Sequence, residues 1–169
     1  MERTLEKRIR WLLAFVMCGL VASGATAIPL RSEVIWLTTV LGAGPDARPE
    51  SHSGLMSWLL RVREALVATD RQYPFLFYGT DWLAFAHFAI AFAFIGPLRD
   101  PVRNSWVVTF GLAASAGVVA CAMVAGWARG IPFYWRVLDS LFGIGAAVPL
   151  LMCRRYILRL EHLRRGTAA

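Results

Sequence analysis

The chain has 169 residues, 57% of them apolar, with a mean hydropathy of +0.53 and a formal net charge of +7. One domain suits that length, and the apolar share is higher than an ordinary soluble domain carries. The positive charge does not indicate a nucleic-acid surface, because no basic face or recognition motif is present. The arginines stand instead at the ends of apolar runs, as topology signals do.

Residues Met1 to Arg10 carry Arg3, Lys7, Arg8 and Arg10 against Glu2 and Glu6, and the apolar run Trp11 to Leu30 follows. A secretory signal peptide with Ala25-Thr26-Ala27 as its cleavage site is one reading of this start. The run is long for a signal core and matches a bilayer span, so an uncleaved first helix over about 11–30 is predicted. From residue 31 to 80 the charges balance and the pattern turns amphipathic. Ser32 or Glu33 can start a short helix through Leu41, and Gly42 to Gly54 is a loop by its glycine, proline and serine content. Leu55, Trp58, Leu59, Val62 and Leu66 then recur on one helical face, with Arg61 and Glu64 elsewhere on its surface. That helix would lie in the membrane interface or cover the mouth of a bundle.

Three further spans are predicted at about 82–98, 106–127 and 134–153, joined by short polar turns. Alanine and phenylalanine nearly alternate from Ala84 to Phe94. The run is too long for one transmembrane strand, so a helix is expected, with Phe85, Phe88 and Phe92 on one face for packing or lipid contact. In the third span Ala113, Gly117, Cys121 and Ala125 recur at four-residue spacing, with Gly111, Ser115, Ala122 and Gly126 nearby. Gly143 and Ala147 answer them in the fourth. Small residues let helices approach closely in lipid, which makes the third span central. The fold predicted is all-α: an integral membrane four-helix bundle with one or two external amphipathic helices in 31–80. The N-terminal segment, the Arg99/Arg103 turn and the basic tail hold most of the Lys and Arg residues, which places both termini in the cytoplasm.

Asp81, His87, Arg136 and Asp139 stand out as ionisable residues within or at the ends of apolar runs. Arg136 and Asp139 are three apart, so they share a helix face and can pair. Asp81 opens the second span at the same outer level. His87 lies about 9 Å deeper by helical rise, and Arg129 in the external turn can join from above. Together they can form a polar pocket in which arginine holds a phosphate or carboxylate and aspartate or histidine orients a partner or moves a proton. The competing reading is an ion pair that pins helix ends, with His87 satisfying a buried carbonyl.

No cofactor or metal site is expected: a lone membrane histidine cannot ligate haem through two imidazoles, and no HExxH, GxSxG or phosphate-loop motif occurs. His52 and His162 read as solvated. Cys18, Cys121 and Cys153 have no CxxC or Cys/His spacing and are expected to be small buried apolar residues. The partners expected are membrane lipids, with other membrane proteins or a second copy of the chain as further candidates, and no nucleic acid.

In Asp81-Trp-Leu-Ala-Phe-Ala-His87-Phe88, and in Arg129 through Asp139-Ser-Leu-Phe-Gly143, the chain resembles the VanZ-like membrane proteins. In that family an aspartate followed by a His-Phe pair opens one span, and an arginine and then an aspartate open a glycine-rich one. The resemblance covers about residues 78–155 and the number of spans. It implies a multi-pass protein of the bacterial inner (plasma) membrane linked to the cell envelope. The chain departs from the pattern at Ala122 to Ala128, which lack that family's acidic residue and glutamine, and at Gly143, where the family has asparagine. The function expected is the binding of a lipid or envelope precursor near the outer leaflet through Asp81, His87, Arg129, Arg136 and Asp139. A structural subunit of a larger membrane complex is the alternative, and a membrane enzyme using Asp139 or His87 as acid or base is a third reading.

Overall fold

A backbone amide in hydrocarbon has no water to bond, so a chain this apolar must satisfy its own N–H and C=O groups within helices. The computed structural model, which describes residues 2–166, is helical throughout, with no strand among the described residues. Its helices are α1 (Glu2–Ala27), α2 (Leu30–Val40), α3 (Gly54–Gln72), α4 (Tyr78–Ala93), α5 (Ile95–Arg99), α6 (Ser105–Ala128) and α7 (Phe133–Gly166), with 3₁₀ turns at Pro49–Ser51 and Pro74–Phe77. Four stretches are long and apolar enough to cross a membrane: Glu2–Ala27, Pro74–Arg99, Ser105–Ala128 and Phe133–Arg165. Trp11, Phe92, Trp106, Trp127 and Phe142, all on these stretches, are exposed.

The sequence pattern ends the last span near Cys153, yet α7 continues as one helix to Gly166. The reason is a stripe that does not stop at the arginines. Leu150, Cys153, Ile157 and Leu160 recur at three- and four-residue spacing, and all four are buried. The second span is also less regular than its pattern. At Phe94 the α-helix gives way to a single turn in which the Phe94 amide donates to the Ala91 carbonyl at 3.2 Å, and α5 then restarts. Pro97 sits in the first turn of α5, where a missing N–H costs little, while the buried Phe94 ring anchors the break.

The chain divides into two compact units, residues 2–20 with 89–166, and residues 21–88. In the first, Ile9, Leu13 and Val16 of α1 form one core with Phe94, Val107 and Val108, and with Leu150, Cys153, Ile157 and Leu160 of α7. Glu2 and Glu6 pair with Arg164 at 2.9 and 2.8 Å, and Arg8 lies over the Tyr156 ring at 5.9 Å. These pairs run in opposite directions along the two helices, so α1 and α7 are antiparallel and both described ends of the chain lie at one end of this unit. The charged clasp is exposed, and Arg164→Ala is expected to lower stability by less than about 1 kcal/mol. Thermal melts of the detergent-solubilised protein should show that loss at low salt and a smaller one at high salt.

The principal helix pairing is α6 with α7. Its seam on α6 is Val108, Gly111, Ser115 and Gly126, not the column Ala113, Gly117, Cys121 and Ala125, which is exposed. Strict four-residue spacing advances about 40° per step around a helix, so those four residues spread over about 120°. Alternating threes and fours hold a single face. Of the cysteines only Cys153 is buried; Cys18 and Cys121 lie on outward faces, where lipid can accept a small apolar side chain as well as a core can.

In the second unit α2 and α3 pack as an antiparallel pair. Arg31 bridges to Asp70 at 3.0 Å, and further along the pair Arg63 reaches Thr38. The expected α3 face is present in part: Leu59 is buried and Trp58, Val62 and Leu66 are half-buried, but Leu55 is exposed, and Leu60, outside the pattern, is buried beside Leu59. At the end of α1, Gly24 lies against α4: a Cβ there would stand 2.8 Å from the Phe88 ring and 3.0 Å from the Ala84 carbonyl oxygen. Phe88 therefore touches Gly24 with one edge while staying 37% exposed, and Phe85 and Phe92 on the same stretch are more exposed still. Tyr78, Trp82 and Phe85 form an exposed edge-to-face series along α4, with ring centroids 5.9 and 5.6 Å apart.

Candidate functional site

The α6–α7 turn fixes the position of the arginine-rich end of the first unit. Gly130 takes the left-handed conformation (φ 69°), its amide donates to the Trp127 carbonyl at 3.1 Å, and the Ile131 amide donates to the Gly126 carbonyl at 2.9 Å. This is a Schellman closure, in which a residue without Cβ satisfies the last carbonyls of a helix. Pro132 then accepts from the Trp135 and Arg136 amides at 3.0 and 3.1 Å and starts α7 without a gap.

That tight turn lays Arg136 across Gly126. A Cβ on Gly126 would fall 2.7 Å from Arg136 Cγ and Cδ, so the missing side chain is the slot that the arginine stem fills. The guanidinium donates through Nη1 to the Met123 carbonyl at 3.2 Å and lies over the Phe133 ring at 5.4 Å. Its Nε is buried without a hydrogen-bond partner among the described residues. The expected Arg136–Asp139 ion pair does not form: none of the ion pairs among the described residues joins them. Residues three apart share a face, but the arginine is drawn across to α6, which offers the Met123 carbonyl and the Gly126 slot for its methylenes, while Phe133 of its own helix supplies the aromatic ring.

Asp139 is left half-buried on α7, one helical turn into an apolar run, and its carboxylate makes no hydrogen bond or ion pair to any described residue. Beside it Ser140 turns its hydroxyl inward and donates to the Arg136 carbonyl at 2.8 Å. Arg129 caps α6 through its backbone, donating to the Ala125 carbonyl at 3.0 Å, and its exposed side chain has no partner among the described residues. The first unit thus holds a structurally committed arginine, a free arginine at the helix end, and a carboxylate without a partner.

Asp81 and His87 belong to the second unit, on α4. Asp81 is exposed in the first turn, where its charge complements the helix dipole. His87 is half-buried, and its Nδ1 lies 2.8 Å from the Leu83 carbonyl oxygen. A carbonyl only accepts, so Nδ1 carries a hydrogen and donates it. No group of three or more His, Cys, Asp or Glu among the described residues could hold a metal ion.

Two features escaped the sequence reading. Arg63 is the first. Its guanidinium donates to Thr38 Oγ1 at 3.3 Å and to the carbonyls of Gly44, Pro45 and Ala47 at 3.3, 3.3 and 2.9 Å. It organises the whole loop between α2 and α3, yet along the sequence it is one charge among several on an amphipathic helix. The second is an open groove lined by Lys7, Arg10, Trp11, Ala14, Leu98 and Arg99. Spacing shows that Lys7, Arg10, Trp11 and Ala14 share a face of α1; only the fold brings Leu98 and Arg99 beside them. No family model, curated protein or solved structure matches this chain.

Proposed function

We propose that the chain is a small multi-pass protein of the inner (plasma) membrane that binds a lipid or envelope precursor near the outer leaflet. The observation that carries this reading is Asp139. A carboxylate within an apolar helix loses water without gaining a protein partner, a cost that a ligand's donor group would remove. The ligand that suits it carries a hydroxyl or ammonium for Asp139 and a phosphate or carboxylate for Arg129 at the helix end. Arg136 braces the turn that holds both. The envelope association rests on the resemblance of residues 78–155 to VanZ-like proteins.

The antiparallel α1–α7 pair supports placing both termini on one side, and the density of Lys and Arg at that end supports the cytoplasm. In this topology residues 31–80 are external. A second reading, a structural subunit of a larger assembly, is favoured by the exposed column Ala113, Gly117, Cys121 and Ala125, a surface on which another helix could approach closely.

The test is mass spectrometry of lipids that co-purify in mild detergent with the wild type and with Asp139→Asn. The proposal expects a phospholipid or isoprenoid carrier enriched on the wild type and depleted about tenfold or more on the variant, roughly the value of one charge-assisted hydrogen bond. Identical bulk lipid from both would leave Asp139 without a ligand and favour the structural subunit.

A further inference from the structure

We infer that the groove of Lys7, Arg10 and Arg99 is a second binding site, at the end of the first unit that holds both described ends of the chain, for the headgroup of an anionic phospholipid. This goes beyond the reading built on Asp139 and shares no residue with it.

Three observations converge. First, the three cations lining the groove have no partner. The side chains of Lys7, Arg10 and Arg99 make no hydrogen bond or ion pair to any described residue, while the acidic residues of the same end are engaged elsewhere. Glu2 and Glu6 hold Arg164, Glu161 pairs with Arg165, and Asp100 accepts from the Arg103 amide at 3.2 Å. The groove therefore carries a net positive charge contributed by α1 and α5, which favours an anion. Second, its floor is apolar: Trp11, Ala14 and Leu98 line it beside the cations, and Trp11 is 71% exposed. A free phosphate would use the cations and leave that floor wet, whereas a phospholipid covers both. Third, the change from charge to apolar falls between Arg10 and Trp11, where the hydrophobic run of α1 begins and where an interfacial tryptophan marks headgroup level. Basic clefts between helices on the cytoplasmic side suit anionic headgroups, and each cation near the surface contributes about 1 kcal/mol of attraction, or about fivefold in affinity.

The experiment is native mass spectrometry of the full chain, titrated with phosphatidylglycerol, with phosphatidylcholine and with inorganic phosphate. Four proteins are compared: the wild type, the triple variant Lys7→Gln/Arg10→Gln/Arg99→Gln, the off-groove control Arg154→Gln/Arg155→Gln, and Ala14→Phe. The last keeps every charge and fills the floor. Thermal melts confirm that each is folded. The wild type and the control should prefer phosphatidylglycerol over phosphatidylcholine, the triple variant should lose that preference by about a hundredfold, and Ala14→Phe should weaken it at unchanged net charge. A preference that survives the triple variant, or falls equally in the control, would overturn the site. Inorganic phosphate displacing phosphatidylglycerol at equal concentration would overturn the lipid assignment. Adding Asp139→Asn to the wild-type background should leave the preference intact, which separates failure here from failure at the other site.

Discussion

Gly143→Ala is expected to be among the most damaging single-methyl changes available to this protein. An alanine Cβ at that position would lie 2.5 Å from the Ser115 backbone oxygen and 3.2 Å from both Val118 Cβ and Val119 Cγ2. A backbone oxygen cannot swing aside as a side chain can, so α6 and α7 must separate along the seam that also carries Ser115 and Gly126. Overpacking of this kind costs about 1–3 kcal/mol, and the upper part of that range applies where the obstruction is backbone. The melting temperature in mild detergent should fall by roughly 5–10 °C. Gly145→Ala, two residues away with nothing within 4 Å of its added methyl, is the matched control. It should leave the melt unchanged or raise it slightly, since alanine is the better helix former. Equal melts for the two variants would show that helix separation at Gly143 is not what limits stability.

Arg63→Ala is the second large effect, and it acts in the other unit. The guanidinium spans one hydroxyl and three loop carbonyls at 2.9 to 3.3 Å. Its removal leaves the half-buried carbonyl of Ala47 and the buried Thr38 hydroxyl without this donor, although Thr38 keeps its own bonds to Val34 and Ile35. Hydrogen bonds from a charged donor contribute about 1.5–3 kcal/mol each when well buried. These are partly exposed and share one side chain, so a total of about 2–3 kcal/mol is the appropriate scale. The loss should be local. Hydrogen exchange should accelerate at the amides of residues 43–52, with the first unit unaffected. Arg63→Lys should recover only a small part, because a single ammonium cannot span acceptors that a planar fork reaches together. Unchanged exchange in the loop would mean that its own turns hold it and that Arg63 is a passenger.

The contrast between these two residues shows where sequence was legible. Gly143 was identifiable as a packing residue, because a small residue in a glycine-rich apolar run has few other uses in lipid. That it rests on the Ser115 carbonyl depends on the register of two helices, which no single-helix pattern contains. Arg63 showed no signal, since its acceptors are backbone carbonyls and carbonyls have no identity in a sequence. The same limit explains Arg136. Its three-residue spacing from Asp139 offered a partner on its own helix, and the fold supplied a better one on α6. The small-residue column of α6 was misassigned for a geometric reason: four-residue spacing looks regular in text but drifts around a helix, and the buried seam follows the mixed spacing of Val108, Gly111, Ser115 and Gly126.

By itself the sequence determined what the solvent dictates. Apolar runs of bilayer length satisfy their backbones as helices, so the helical class and the four stretches long and apolar enough to cross a membrane follow from composition and run length. Only the tertiary structure decided which face of each helix is buried, that α7 continues to Gly166 against α1, and which charges remain without partners. Those outcomes depend on contacts between residues far apart in the chain, and on backbone atoms that every residue shares. The unpaired Asp139 and the unneutralised groove of Lys7, Arg10 and Arg99 are of that kind, since the absence of a partner is visible only once every neighbour has been placed.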